Sequence, residues 1–316
     1  MVKRIIKYVG LAVILYLIYL AVCLLVPPLF HKTTDTAARE AFYTAKTEEG
    51  GFEKERARSV DTNLEALLWR LRLVEEAKET LVLTTFDFRD ESGGQDMMAA
   101  LWNAANRGVK VQILVDGINA GLFLSGSDNF RQLACHENVE ARFYNPINFL
   151  TPWKINYRMH DKYLIADDWG YILGGRNTDN RFLGCYEEFY NEDRDILVYE
   201  TVPGKGESLC QLQNYFDRIW NLPDSKLFRK TGKGGNLDAH YEQLKKRYPE
   251  AFTPTDWESE TTETNRIELC TNSVEPKNKE PWIWDRMIEE MKRASDVQVQ
   301  TPYIISSKKM YQDLKS

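Results

Sequence analysis

The sequence predicts an α/β protein, strands alternating with helices and preceded by one membrane-spanning helix. Three observations predict it. From residue 64 to residue 220 short apolar runs alternate with segments of helical periodicity, as in a layered α/β domain. Residues 8–26 carry no charge and are almost wholly apolar. From residue 266 the helix-and-strand pattern of residues 64–88 starts again, as an internal repeat does.

As a helix, the apolar run at 8–26 rises roughly 28 Å, close to the thickness of a bilayer core. Lys3, Arg4 and Lys7 precede it and Pro27-Pro28 ends it. The run is long for a cleaved signal peptide, no small-x-small site follows closely, and Val22 before Cys23 suits lipoprotein processing poorly. Residues 1–30 therefore read as an uncleaved anchor in the cell membrane. The basic cluster before the run is denser than Lys32, Arg39 and Lys46 after it, which puts the remaining chain on the extracytoplasmic side.

Residues 31–58 read as a polar tether and 59–222 as a first half-domain. Leu64, Leu67, Leu68, Leu71, Val74 and Ala77 have helical spacing. A strand at 80–86, a helix at 95–107 and a strand at 109–115 follow. Two more strands are expected at 161–166 and 171–174, another from Asp193 to Tyr199, and an amphipathic helix from Leu209 to Trp220. Residues 223–265 are polar and broken by Gly and Pro, a linker with one charged helical piece at 238–248. Lys233-Gly234-Gly235 lacks the spacing and preceding strand of a phosphate loop and reads as a plain loop. In 266–316, a strand at 266–270, a helix from Trp282 to Ala294 and a strand at 297–304 begin a second half.

The chemistry concentrates in one stretch. His160, Lys162 and Asp167 form H-x-K-x₄-D, and Gly174-Gly175-Arg176-Asn177 follows within a few residues. Tyr163-Leu164-Ile165-Ala166 and Tyr171-Ile172-Leu173 read as two buried strands joined by the turn Asp167-Asp168-Trp169-Gly170. Two residues apart on a strand, His160 and Lys162 leave the same face. The hairpin returns Asn177 to that end, and Gly174 and Gly175 would leave room for a ligand against the backbone. A nucleophile, a fixed cation and an amide donor in one place suit a phosphate whose charge grows in the transition state. His31, His136 and His240 have no such surroundings and read as structural. A histidine nucleophile also requires a carboxylate to fix its tautomer and direction.

The H-x-K-x₄-D and G-G-x-N pattern resembles the fingerprint of the phospholipase D superfamily. With Leu81–Phe88, Leu101–Val111, Ile113–Gly117, Val139–Pro146, Asn191–Asp195 and Phe216–Asn221, the chain resembles the bacterial cardiolipin synthases, nearest to the C-type enzymes, whose motif carries Gly-Gly-Arg-Asn. The resemblance covers residues 50–222 well and 266–305 recognisably. It implies a phospholipase D-like mixed sheet sandwiched by helices, with the first half complete and the second only begun. It implies His160 as the nucleophile that becomes a phosphohistidine, with Lys162 and Asn177 on the phosphate oxygens. Asp167 would hold the backbone of the motif in shape. Asp193 matches the family's carboxylate position best, with Asp195 as the second candidate. Thr301-Pro302-Tyr303 matches a family tripeptide, placing Tyr303 beside substrate. Gly175 stands where many relatives have Ser, and Asp116-Gly117 where the C-type enzymes often have two Asp.

The implied activity is a membrane-anchored phosphatidyltransferase, joining two phosphatidylglycerols, or phosphatidylglycerol and phosphatidylethanolamine, into cardiolipin. A phosphodiesterase or nuclease of the same type, or a catalytically incomplete lipid-binding protein, are the alternatives. The family's second motif would fall near 375–380, so the chain is expected to be truncated before it and inactive alone. The implied partners are phospholipid and the membrane. Net charge −6 over 316 residues argues against a nucleic-acid groove. Neither a cofactor nor a metal is implied: His160 has no cluster of ligands and Lys162 supplies the cation. The five cysteines have no metal-ligand spacing and leave any disulfide open.

Overall fold

In a computed structural model, residues 2–26, 54–229, 234–264, 267–273, 281–299, 301 and 307–315 are described. Nine strands form one mixed sheet: β1 Glu55–Val60, β2 Thr80–Thr85, β3 Lys110–Asp116, β4 Val139–Tyr144, β5 Tyr163–Ala166, β6 Gly170–Gly174, β7 Asp195–Glu200, β8 Ser225–Leu227 and β9 Thr262–Glu263. Their order across the sheet is β8-β4-β3-β2-β5-β6-β7-β1-β9. Only β2–β3 and β3–β4 are parallel, joined by helical crossovers; the remaining pairs are antiparallel.

Alternation along the strands sends side chains to two separate cores. Leu81, Leu83, Leu164, Ala166 and Ile172 face one side, where α2 (Asn63–Glu76) and α3 (Ser92–Asn106) bury Leu67, Leu71, Met97 and Leu101. Val82, Tyr163, Ile165 and Tyr171 face the other side, against Leu209, Leu212, Phe216 and Ile219 of α5 (Glu207–Trp220). The sheet is therefore sandwiched by helices, as the resemblance implies. The start of α2 is set by Thr62 and Glu65, whose side chains each accept from the other's backbone N–H in a capping box. α4 (Asp128–Ala134) follows a short helical stretch at Gly117–Leu124 and leads into β4.

Two stretches that read as tether and linker turn out to carry strands. β1 runs from the end of the expected tether into the first half-domain, and β8 and β9 lie within the expected linker, at opposite edges of the sheet. Glu55-Arg56-Ala57-Arg58-Ser59-Val60 looks polar because its arginines bond across the sheet edge: Arg56 donates to Thr261 and Arg58 to Glu260. α6 (Leu237–Arg247), the charged helix within the expected linker, inserts Leu237, Tyr241 and Leu244 into the first core.

The second-half strand expected at 266–270 does not form; the described residues 267–270 carry no regular structure. A strand needs a partner for its backbone. Here Leu269 N–H donates instead to the Gln211 side chain of α5, at 2.8 Å, and Ile267 and Leu269 pack on the second core. The expected helix is present as α7 (Trp282–Arg293), and α8 (Lys308–Asp313) follows. Residues 297–299 carry no strand, and Tyr303 lies outside the described residues. At the other end, α1 (Val2–Leu25) is long and apolar enough to cross a membrane and is exposed over almost all its length.

Candidate functional site

The site lies where the ends of β2, β5, β6 and β7 meet. His160 and Lys162 stand just ahead of β5 rather than on it, and the ladder continues to them through Gly174 N–H, which donates to the Lys162 carbonyl at 3.2 Å. Asp116, buried at the end of β3, fixes the approach to His160. Its carboxylate pairs with Arg158 at 3.0 Å and accepts the Met159 N–H at 3.2 Å. The His160 ring packs on Phe86, with centroids 4.5 Å apart.

One cleft of about 1010 Å³ gathers His160, Lys162, Gly174, Gly175, Asn177 and Asp193. Six of the residues singled out in the sequence are thus brought together. Lys162 is 5% exposed, and its ammonium donates to the His160 carbonyl at 2.7 Å. Burial pulls its pKa down to about 8 against the opposing pull of Asp161, Asp193 and Asp87. Burial and the neighbouring Lys162 charge also lower the His160 pKa below its ordinary 6.5. A neutral imidazole therefore faces the cleft at pH 7, in the form a nucleophile requires. Asn177 Oδ1 accepts the Asp87 N–H at 3.3 Å, which orients its amide.

The two glycines of the cleft also lie close against two acids. A Cβ on Gly174 would overlap the Asp195 carboxylate, and one on Gly175 would overlap that of Asp193. At the Cβ positions the room they leave is taken up by these two carboxylates.

Asp195 and Asp167 lie outside the cleft. The Asp195 side chain is fully buried and ion-paired with Arg70 at 2.9 Å and Arg176 at 3.4 Å, so its charge is engaged in the core. Asp167 sits at φ 49° in the β5–β6 turn, at the far end of the hairpin. Its carboxylate accepts the N–H groups of Lys78, Glu79 and Thr80 at 2.7–2.9 Å, tying the hairpin to the start of β2.

Sequence reasoning missed Arg89 and Arg181, which bring two further cations to the cleft. Both pair with Asp87, at 2.8 and 3.3 Å, and Arg181 also pairs with Asp179 at 2.9 Å. Asn119, from the turn after β3, also lines the cleft. The signal available was position: these residues follow the carboxyl ends of β2 and β3 or the motif asparagine. No spacing rule marks them.

Residues 71–220 match the family model described as "Cardiolipin synthase, PLD-like domain". The chain is similar to cardiolipin synthase C of Escherichia coli (strain K12), with 34% identity over 153 residues, 45% of this chain and 32% of that protein. It is also similar to a cardiolipin synthase of Oceanobacillus iheyensis, with 30% identity over 191 residues, 55% of this chain and 38% of that protein. The matches span roughly a third of the length of these curated relatives. Among solved structures, Nuc of Salmonella typhimurium, a phospholipase D family member, superposes with TM-score 0.42 at 16% identity, covering 56% of this chain and 99% of that one.

Proposed function

We propose, from the premise that residues 71–220 form a phospholipase D superfamily domain related to bacterial cardiolipin synthases, that the protein is a membrane-anchored phosphatidyltransferase making cardiolipin. The donor is phosphatidylglycerol, which loses glycerol, or phosphatidylethanolamine, which loses ethanolamine; the acceptor is a glycerol hydroxyl of a second lipid, phosphatidylglycerol. One observation carries the reading: a neutral His160 shares a cleft with a buried ammonium and an oriented amide.

In the first step His160 attacks phosphorus, the P–O bond to the donor's headgroup alcohol (glycerol or ethanolamine) breaks, and a phosphohistidine forms. The acceptor hydroxyl then attacks phosphorus and the P–N bond breaks, which regenerates the imidazole. Lys162 and Asn177 take the non-bridging oxygens as charge grows on them, and Arg89 and Arg181 supply further positive potential. Asp193 acts as the positioning carboxylate for the histidine. The leaving alkoxide needs a proton donor. H-x-K occurs once in these 316 residues, so turnover by the chain alone is expected to be slow. α1 anchors the protein in the cell membrane and places the domain on its extracytoplasmic face.

Full-length protein in vesicles should convert labelled phosphatidylglycerol to cardiolipin and release glycerol, while leaving single-stranded DNA intact. Cleavage of DNA with untouched lipid would replace this reading by a nuclease of the same type. The acidity of the site makes a second prediction. Attack needs neutral His160 and the phosphate needs charged Lys162. Turnover should therefore fall at acid pH, through a His160 pKa below 6.5, and again as pH rises through about 8. Lys162→Arg should move the alkaline limb upward, because a guanidinium keeps its charge there. An unmoved alkaline limb would assign it to another group.

A further inference from the structure

Two uncharged stretches, residues 117–127 and residues 143–153, meet beside α1, where Ile118, Pro146, Ile147 and Phe149 line one pocket with Tyr16 and Leu20. They leave large apolar side chains in solvent, with Leu122 66%, Phe149 71% and Leu150 82% exposed. Scattered apolar side chains on a surface need no explanation, but a contiguous patch does. This one touches α1. The Tyr16 hydroxyl donates to the Phe149 carbonyl at 3.0 Å and the Tyr19 hydroxyl to the Leu150 carbonyl at 3.5 Å.

The geometry points to a membrane wedge. We propose that the Ile147–Leu150 loop and the Leu122-Phe123 turn insert into the leaflet beside α1 and hold the catalytic cleft at the headgroup level. The inference rests on the reading of α1 as lying in the bilayer. Its occupant follows from continuity: the patch adjoins the one helix among the described residues with membrane-spanning length and apolarity.

The loop's backbone supports this independently. In hydrocarbon every exposed N–H or C=O is costly unless it is bonded within the protein. Here Leu150 N–H donates to Asn148 Oδ1 at 2.9 Å and Thr151 N–H to the Asn148 carbonyl at 3.0 Å. The two carbonyls at the tip are met by the tyrosines of α1. The Asn148 bonds are those of an ordinary turn; the tyrosine bonds are the ones a loop in water would not need. Tyr16 precedes the helix end at Leu25 by about 14 Å of helical rise, so the tip would reach the acyl region. The charges nearby are paired, Lys154 with Asp224 and Arg158 with Asp116.

The wedge is also joined to the site. The Arg89 guanidinium, which lines the cleft, stacks 4.4 Å above the Phe123 ring. A phospholipid headgroup beside the wedge would meet these cations before reaching His160.

The test is photolabelling of the full chain in phosphatidylglycerol–phosphatidylethanolamine vesicles carrying a diazirine near the end of an acyl chain. Peptide mapping should find label on α1, on residues 147–150 and on 122–123, and none on α6. Phe149→Asp/Leu150→Asp should lose the label on both wedge segments and keep it on α1. Label on α1 without the wedge overturns this proposal. Label on neither shows that the membrane reading of α1 itself has failed. Wedge labelling that persists unchanged in the double variant would also overturn it, because two carboxylates should not remain in hydrocarbon.

Discussion

His160→Ala is expected to abolish phosphodiester turnover, with a loss of at least about three orders of magnitude on lipid vesicles. The size follows from the role. Removing a covalent nucleophile leaves only the binding and electrostatic contributions of Lys162, Asn177 and the arginines, and these cannot substitute for the bond the imidazole forms. Acid-stable handling is unsuited to a phosphoramidate, so the covalent species should be sought by alkaline quench; the parent should show a phosphohistidine that the variant lacks. His136→Ala is the control. Its ring accepts the Asn138 N–H at 3.0 Å and contacts Asn106 Oδ1 at 3.1 Å in the turn before β4, remote from the cleft. Its turnover should stay close to the parent's. Equal losses at the two histidines would show that the nucleophile lies elsewhere.

The cleft was legible because its chemistry is local in sequence. His160, Lys162 and Asn177 lie on one hairpin and its flanks, and a period of two with a turn brings them together. The β5–β6 hairpin itself was legible from its apolar runs. What escaped is what depends on distant partners. β1 contains only Ala57 and Val60 as apolar residues, and its Glu55 is buried because it accepts from Ser208 and Leu209 at the start of α5. No local pattern reports a carboxylate that caps a helix some 150 residues away. The same holds for Arg176. Within G-G-x-N it occupies the variable position, yet it is 1% exposed and donates to the carbonyls of Val60, Asp61 and Asp193. It holds the segment bearing Asp193 against β1. In the other direction, the repeat pattern at 266–270 suggested a strand, but a strand's pairing is a tertiary matter and the segment lies on α5 instead.

Asp195→Ala should destabilise the domain by about 3–5 kcal/mol, because it removes the counter-charge from two arginines that cannot reach water. The side chains of Arg70 and Arg176 are 4% and 0% exposed, and Asp195 is the carboxylate between them. Their remaining bonds go to neutral acceptors: Arg70 to the Ala66 carbonyl, Arg176 to Asn63 Oδ1 and to backbone carbonyls. Those bonds hold the guanidinium groups in place but do not neutralise them, so the interior would carry two positive charges, with only Asp193 acting on Arg176. Arginine cannot relieve this by releasing a proton at ordinary pH. For a domain of this size the loss corresponds to a fall in melting temperature of roughly 10 °C. Asp195→Asn keeps the shape and loses the charge, and it should fall nearly as far. Gly174→Ala should resemble both, since its methyl group would enter the space of the Asp195 carboxylate. Thermal unfolding of the three variants in the same vesicles measures this directly. A melting temperature within a degree or two of the parent's in Asp195→Ala would mean that the arginines reach solvent and that the ion triad is not what holds β7, α2 and the motif together.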